Sequence, residues 1–394
     1  MRYLILVLVL SSCATRTENL SQYLVHQKGA FQNKFTLSLT DTISIEVPDS
    51  AYNNPNQVAI FGNELVYSKV YASPYDIDIY NILKQKYIRR IKLDKNLIKG
   101  SPSSLNVSSE QSIAFGIAGT AALYLMNPTN GKIESFDFSD VNLYSKEKPF
   151  MNAVFPSLFS DYKFNFADNE NVIVSFIIPE SFLLKDFSIH HVAKINIDNH
   201  KVEVYYEMPD NIYSNMRNSA YPSDLAFART LIKGDTLLVT YPMDQCIYGY
   251  NINSPEIIFK KLATTSESVA FPAPLSKSDY RDREISWEFR ITTPFFESLN
   301  YHEGSKLFTR ILHHPQPSEN IDGTRHDGKN RKLSVIILDE NLNKVGETIL
   351  DNEQMAVLKS IPLDNGFLAG PYSSFHSNED EFIFKYLFKF KEVK

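Results

Sequence analysis

The sequence predicts an all-β protein, and within that class a six-bladed β-propeller of four-stranded antiparallel blades. Three observations favour this fold: a high aromatic content, with 22 Tyr and 27 Phe; many short runs of alternating apolar and polar residues; and a hairpin-like segment that recurs along the chain. Aromatic and β-branched residues favour strands, and alternation gives a strand one buried face. No long amphipathic helical pattern is evident, so helix is expected to be a minor component.

Residues 1–12 are predicted to be a lipoprotein signal peptide. Met1-Arg2 precedes an apolar run over residues 3–10, and small residues then lead to Cys13. The run is much shorter than the ~20 apolar residues of a spanning helix, and its order is that of a secretory signal. Residues 10–13 (LSSC) resemble the lipobox of bacterial lipoproteins, which implies cleavage before Cys13 and acyl chains attached to it. An ordinary secretory peptide is the alternative.

Residues 13–30 are predicted to be a lipidated tether, and residues 31–394 a single domain. Position 14 is Ala rather than the aspartate that often retains lipoproteins in the inner membrane. We therefore expect a lipid-anchored protein of the cell envelope, at the outer membrane. If acylation consumes Cys13, the second cysteine, Cys246, has no disulfide partner, and its strand-like context predicts a buried small hydrophobe.

Alternating runs mark the predicted strands. The clearest are Phe35–Val47, Asp161–Ile178 and Lys194–Tyr206, the last with a hairpin turn at Asp198-Asn199. The first run precedes the repeats described next. It is expected to pair with the last strands, near Glu381–Phe390, and to close the ring of blades, which would protect the strand edges.

The repeat consists of a turn, a strand, a second turn and a second strand. Residues 60–82 and 232–252 share this order and both end in Tyr-Asn-Ile, and residues 119–137 form a third copy. Three looser copies bring the number to six. The turn markers are Gly62, Gly119, Asn171, Gly234, Gly304 and Gly366, spaced by 52 to 70 residues. A blade of about 45 residues plus loops fits this spacing. Two packed β-sandwiches with similar hairpins are the alternative.

Three segments, residues 234–252, 301–310 and 333–350, resemble the uncharacterised six-bladed β-propeller lipoproteins of Gram-negative bacteria, a domain-of-unknown-function family with a TolB-like propeller. The resemblance covers most of the mature chain. Its motifs are strand and turn signatures, so it implies a fold. It implies no activity, because the family has none assigned.

The most unusual segment is the long polar connection from His313 to Lys332. It concentrates His313, His314 and His326 with two aspartates. Long loops on a rigid scaffold often carry binding residues, so these histidines are candidate ligand-binding residues; a solvated loop is the alternative. No metal site is predicted, because residues 322–330 lack the spacing and terminal glutamate of a calcium loop.

Two arginines are further candidates for ligand binding. Arg310 ends an aromatic strand and matches an arginine at this position in the similar lipoproteins; a guanidinium in a central channel could hold a carboxylate or phosphate. Alternatively, it satisfies carbonyl and carboxylate groups of the blades. Arg290, close in sequence to the lone Trp287, is the second candidate. The run Arg281–Glu284 mixes charges and is predicted to be a solvated loop.

Composition and motifs narrow the function. A net charge of −6 and a pI near 5.9 argue against a nucleic-acid partner. The sequence holds no G-x-S-x-G, H-E-x-x-H, C-x-x-C or phosphate-loop motif, and no cofactor is expected. The leading prediction is a cell-envelope module that binds an envelope protein, a small molecule or a carbohydrate. Alternatives are an envelope hydrolase or lyase with its site at the channel mouth, and a purely structural subunit.

Overall fold

The structure is a computed structural model. It describes residues 33–46, 53–61, 65–70, 76–94, 96–98, 102–107, 113–117, 122–127, 129–137, 165–168, 170–175, 192–199, 201–206, 209, 219–222, 225, 228–326, 331–350, 356–370 and 382–393. The predicted signal peptide, Cys13 and the tether lie outside these residues.

The prediction of an all-β fold is confirmed, and four antiparallel sheets of four strands each make up much of it. After β1 (Phe35–Glu46), the first sheet contains β2 (Asn53–Phe61), β3 (Leu65–Val70), β4 (Asp76–Asn81) and β5 (Lys86–Lys92). The second contains β6 (Pro102–Val107), β7 (Ile113–Ile117), β8 (Ala122–Met126) and β9 (Ile133–Asp137). In each sheet, strands adjacent in sequence are adjacent in space, as short hairpin connections require.

The third and fourth sheets have the same order. The third contains β10 (Asn165–Phe166), β11 (Asn171–Ser175), β12 (Val192–Asn196) and β13 (Lys201–Tyr205). After β14 (Ser219–Ala220), the fourth contains β15 (Arg229–Lys233), β16 (Thr236–Thr240), β17 (Cys246–Asn251) and β18 (Ile257–Leu262). The turn predicted at Asp198-Asn199 does connect two paired strands, β12 and β13.

Two short helices follow β19 (Leu275–Ser276), which pairs with β14. They are α1 (Lys277–Arg281) and α2 (Arg283–Thr292). The Asp282 carboxylate accepts hydrogen bonds from the backbone amides of Glu284 and Ile285 and so caps the start of α2. The predicted loop at Arg281–Glu284 is therefore wrong, because its aspartate starts a helix. No described helix is long and apolar enough to cross a membrane.

Together with β1, the remaining seven strands form one large mixed sheet of eight strands. They are β20 (Phe295–His302), β21 (Leu307–His313), β22 (Leu333–Leu338), β23 (Lys344–Leu350), β24 (Ala356–Leu363), β25 (Gly366–Gly370) and β26 (Phe382–Glu392). Their order is β20-β21-β22-β23-β1-β26-β25-β24. The predicted pairing of Phe35–Val47 with the last strands is confirmed, because β1 is antiparallel to β26 along its length.

The predicted closed propeller of six four-stranded antiparallel blades is wrong. The finding that overturns it is the eight-stranded mixed sheet, in which β1 also pairs in parallel with β23 through Phe35 and Gly346. Gly346 allows this approach, since a Cβ there would lie 2.2 Å from the Phe35 carbonyl oxygen. β1 thus pairs along both of its edges. It joins β20–β23 to β24–β26, which were predicted to belong to separate blades, in one sheet.

Buried apolar clusters fill the spaces between the sheets. The largest one joins β11–β13 to β15–β17 and is rich in tyrosine; Tyr206, Tyr241, Tyr248 and Tyr250 are all almost fully buried in it. The Tyr206 hydroxyl donates to the Ile252 carbonyl at 2.6 Å, so burial leaves this polar group satisfied. Cys246 is buried in the same cluster as predicted, and burial raises the pKa of its thiol to about 12.

Candidate functional site

The candidate site is built where α2 meets the connection between β21 and β22. We call α2 together with residues 314–326 the helix–loop unit. The backbone amide of Gln316 donates to the Ile291 carbonyl at 3.3 Å, which joins the loop to the last turn of the helix. The predicted long loop is therefore folded against its neighbours over this range; residues 327–330 lie outside the described residues.

His313 lies at the base of the helix–loop unit, on the last residue of β21. Its Nε2 is 2.5 Å from Oε2 of Glu297, and its ring stacks on Phe295 with centroids 4.4 Å apart. Register explains this arrangement, because Phe295 is the cross-strand partner of His313. Only 3% of His313 and 2% of Glu297 are exposed. The pair has the orientation of a histidine base and its carboxylate, but it is enclosed by protein.

His314 begins the loop and is fixed from both sides. Its Nε2 lies 2.8 Å from the Ser334 hydroxyl on β22, and its backbone amide donates to the Lys332 carbonyl at 2.9 Å. Burial lowers the pKa of His314, and the adjacent Lys332 ammonium lowers it further. The neutral ring therefore serves as a hydrogen-bonding group at the loop's origin.

The end of the described loop, at His326, contacts residues near the start of the loop. His326 Nδ1 lies 2.6 Å from Nε2 of Gln316, and its amide donates to the Ser318 carbonyl at 2.9 Å. Between these points, the Asp322 carboxylate accepts from the backbone amide of Thr324 and holds a tight turn. Thus the described loop is held at both ends and at its tip.

An exposed surface remains on the outside of the helix–loop unit. Arg325 forms an ion pair with Glu284 of α2, and its guanidinium lies over the Trp287 ring, 4.8 Å from the centroid. Ile321, at the loop tip, is fully exposed, and Ile285 of α2 is 40% exposed. Glu284 and Trp287 are three residues apart and share one face of α2, and Arg325 of the loop contacts both.

Arg331 is the main residue that the sequence analysis missed. It is 3% exposed. Its guanidinium donates to the carbonyls of Thr293 at 2.9 Å and Ile291 at 2.7 Å, and also to that of Arg290. These carbonyls belong to the end of α2, whose last turn needs acceptor partners. The segment was singled out for its histidines, and no local pattern indicates that an arginine after the loop caps a distant helix.

Arg310 is fully buried in the middle of β21. Its guanidinium donates to the carbonyls of Asp244 at 2.7 Å, Gln245 at 2.8 Å and Ala263 at 2.9 Å, and it lies 3.6 Å from the centroid of the Phe296 ring. Burial lowers its pKa to about 10, so the side chain remains charged near neutral pH. The geometry favours the alternative in which Arg310 binds backbone carbonyls of the β16–β17 turn and of the residue after β18.

The predicted site residues fall into two places. His313, His314, His326 and Arg290 all belong to the helix–loop unit or its base, and Arg290 contributes its carbonyl to Arg331. Strand alternation sends Arg310 to the face of β21 opposite His313, where it contacts the fourth sheet. Within the described part of the chain, no three His, Cys, Asp or Glu residues lie close enough together to hold a metal ion.

Two solved structures share this fold at low sequence identity. A member of the DUF4221 family from Bacteroides vulgatus matches with a TM-score of 0.66 and 15% identity, covering 92% of this chain and 100% of that one. A Bacteroides fragilis protein, provisionally described as exported, matches with a TM-score of 0.52 and 12% identity, covering 93% and 98%. No curated protein matches the chain.

The sequence resemblance to a family of unknown function is confirmed in that coarse form, whereas its propeller component is not supported. The family model for the domain of unknown function DUF4221 matches residues 34–349, from the start of β1 to the end of β23. This range covers most of the chain and all of the helix–loop unit. The chain therefore belongs to the DUF4221 family.

Proposed function

We propose that this protein is an exported component of the cell envelope that binds a partner protein through the exposed surface of the helix–loop unit. The observation that carries the proposal is a loop that buried hydrogen bonds hold at its base and that presents an apolar tip, Ile321, to solvent. A loop already ordered in its binding conformation loses less entropy on association than a flexible one.

The supports under the surface account for its order. His313 with Glu297, His314 with Ser334, and Arg331 with the end of α2 are all buried contacts. Buried polar contacts fix one arrangement, because an alternative arrangement would leave polar groups without partners. In this proposal, the predicted candidates His313 and His314 position the surface and do not touch the partner.

The exposed side chains have the chemistry of a protein interface. Tryptophan and arginine are enriched among residues that dominate binding energy, and charged rims surround apolar centres. Here Arg325 lies over the Trp287 ring and pairs with Glu284, and the fully exposed Ile321 belongs to the same loop as Arg325. A partner that covers these residues would bury apolar area and preserve the Arg325 to Glu284 ion pair at its rim.

The proposed location follows from the first thirteen residues. The lipobox-like residues 10–13 support export and acylation of Cys13, and the structurally similar Bacteroides fragilis protein carries a provisional description as exported. We therefore propose an anchor in the outer membrane. A Cys13→Ser chain expressed in its native host should not incorporate labelled palmitate; incorporation at wild-type level would contradict the anchor.

Site-specific photocrosslinking tests the partner surface. A photoreactive residue at position 321 is expected to give a discrete adduct in cells, because a partner lies on that side chain. Position 258 is the matched control, since Ile258 on β18 is 56% exposed and lies outside the helix–loop unit. A Trp287→Ala change should reduce the adduct at 321. Absence of an adduct at 321, or an equal adduct at 258, would refute this surface.

An envelope hydrolase or lyase is the second candidate, and one observation favours it. The His313–Glu297 pair matches the geometry in which a carboxylate orients a histidine base. A conformational opening at the loop base would be needed to expose it. Cleavage of envelope polysaccharides or peptides by the purified protein, lost in His313→Asn, would establish this function in place of binding alone.

A further inference from the structure

The edge of the first sheet carries a concentration of positive charge. Residues 83–93 contain five Lys or Arg side chains and no acidic residue, although the whole chain has a net charge of −6. Arg90 is used internally, since it forms two hydrogen bonds with the buried Asp78. The side chains of Lys84, Lys86, Arg89 and Lys92 are exposed.

Exposed apolar side chains are interspersed with these cations. Leu83 is 60% exposed, Ile88 is 45% exposed and Leu97 is 58% exposed. They lie in the turn before β5, in β5 and just beyond it, whereas the other large exposed apolar side chains of the described chain are scattered over several elements. We call residues 83–93 with Leu97 the basic strip.

Most of the basic strip lies along one strand, β5. In its sheet, β5 is an outer strand, and its seven residues span about 23 Å at ~3.3 Å per residue. Lysines on edge strands oppose pairing with other strands. That role does not account for three exposed leucine and isoleucine side chains, which increase the exposed apolar area.

We propose that the basic strip lies against the anionic headgroup surface of a lipid bilayer. Cations attract anionic lipid, and apolar side chains between them can enter the headgroup boundary. This inference rests on the lipid anchor at Cys13 proposed above, which would hold the chain close to a membrane.

The position of the tether is compatible with this contact. The described chain begins at Asn33, just before β1, and Ile43 of β1 packs in one cluster with Tyr80, Ile82 and Tyr87 at the β4–β5 hairpin. The twenty residues from Cys13 to Asn33 reach at most about 70 Å when extended. An acylated Cys13 can therefore insert in the same bilayer that the strip contacts.

A fluorescent label tests the contact in the acylated protein. Ile88→Cys is labelled with a polarity-sensitive dye and reconstituted with vesicles of phosphatidylethanolamine and phosphatidylglycerol, or of phosphatidylcholine alone. Cys246 is buried and burial raises its thiol pKa to about 12, so the label goes to position 88. We expect a blue shift with the anionic vesicles only, lost in high salt. The same label at position 258 should show no shift.

Charge reversal tests the contact without depending on the anchor. Unacylated Cys13→Ser chains carrying Lys84→Glu, Lys86→Glu and Lys92→Glu are compared with chains carrying Lys201→Glu, Lys260→Glu and Lys261→Glu, three exposed lysines elsewhere. Both sets change the net charge equally. We expect the first set to weaken sedimentation with anionic vesicles at least about tenfold, and the second to leave it unchanged.

The outcomes separate the strip from the anchor. If the purified wild-type protein does not sediment with phosphatidylcholine vesicles, the anchor is disproved. The charge-reversal comparison remains valid in that case, because it uses unacylated chains. Equal weakening by both lysine sets, or no shift at position 88, would overturn the basic strip as a membrane surface. Strip-dependent binding of a DNA oligonucleotide without vesicle binding would also overturn it.

Discussion

At the scale of single residues, buried charged and polar side chains hold elements that are distant in sequence. Arg310 joins β21 to the β16–β17 turn through backbone carbonyls. The sequence left two roles open for Arg310, ligand binding and binding of groups within the protein. An arginine at this strand position fits either role. The position of the β16–β17 turn decides between them, and this is a tertiary feature that local patterns do not encode.

Replacing Arg310 with methionine should destabilise the fold strongly. The change removes the guanidinium and leaves the carbonyls of Asp244, Gln245 and Ala263 without the hydrogen bonds that it donates. We expect the free energy of unfolding to fall by roughly 3 to 5 kcal/mol, measured by urea denaturation with an unchanged slope. Arg283→Met, at an exposed position of α2, is the control and should change it by less than about 0.5 kcal/mol. A loss below about 1 kcal/mol for Arg310→Met would contradict the structural role.

His302 provides a test through pH. It is fully buried between the Leu363 carbonyl, 2.8 Å from Nδ1, and the Thr309 hydroxyl, 2.9 Å from Nε2. Burial lowers its pKa from 6.5 to about 4. In the unfolded chain the ring takes up a proton near pH 6.5, while in the fold it does so only near pH 4. Acidification through this window therefore favours unfolding, and the cost levels off below pH 4.

We expect this residue to contribute on the order of 3 kcal/mol to the loss of stability between pH 7 and pH 4. The measurement compares unfolding free energies at several pH values for the wild type and for His302→Asn, whose amide can still donate to the Leu363 carbonyl. The variant should be less sensitive to acid over this window. Identical pH profiles would show that His302 does not titrate as described.

At the scale of elements, α2 and the loop after β21 stabilise each other. The sequence identified the loop as unusual and its histidines as candidates, and these residues do lie together at its base. It did not predict α2, because the mixed charges at Arg281–Glu284 were interpreted as a solvated loop. The capping role of Asp282 depends on which residue begins the helix, and Arg331 reaches α2 only through the folded chain.

Arg331→Met is expected to loosen the helix–loop unit locally. The carbonyls of Ile291 and Thr293 lose their donor at the end of α2. Amide hydrogen exchange should accelerate in α2 and in residues 314–326, with little change in the sheet β15–β18. Arg325→Met is the control, because its exposed ion pair with Glu284 contributes about 1 kcal/mol or less. Unchanged exchange in α2 would argue that Arg331 does not hold this unit.

At the scale of the whole molecule, the sequence predicted the strand class and one long-range pairing but not the way in which sheets combine. Alternation places residues on strand faces, so β1, β11 and the β12–β13 hairpin could be anticipated. Which edges meet depends on close backbone approaches such as that of Phe35 to Gly346. A glycine is visible in the sequence, but its neighbour across a sheet is not, and the count of independent sheets was therefore wrong.

Gly346→Ala tests the junction that makes the large sheet continuous. The added methyl group would lie 2.2 Å from the Phe35 carbonyl oxygen, a backbone atom that can move only if β1 shifts away from β23. We expect a loss of about 1 to 3 kcal/mol and faster exchange of the Lys34 and Leu37 amides, which donate to Val345 and Thr348. Gly249→Ala is the matched control. The three atoms nearest to its added group all belong to the Phe259 side chain, so it should destabilise the fourth sheet without exposing these β1 amides. If Gly346→Ala leaves exchange in β1 unchanged, the contact between β1 and β23 contributes little, and β26 alone holds the strand in place.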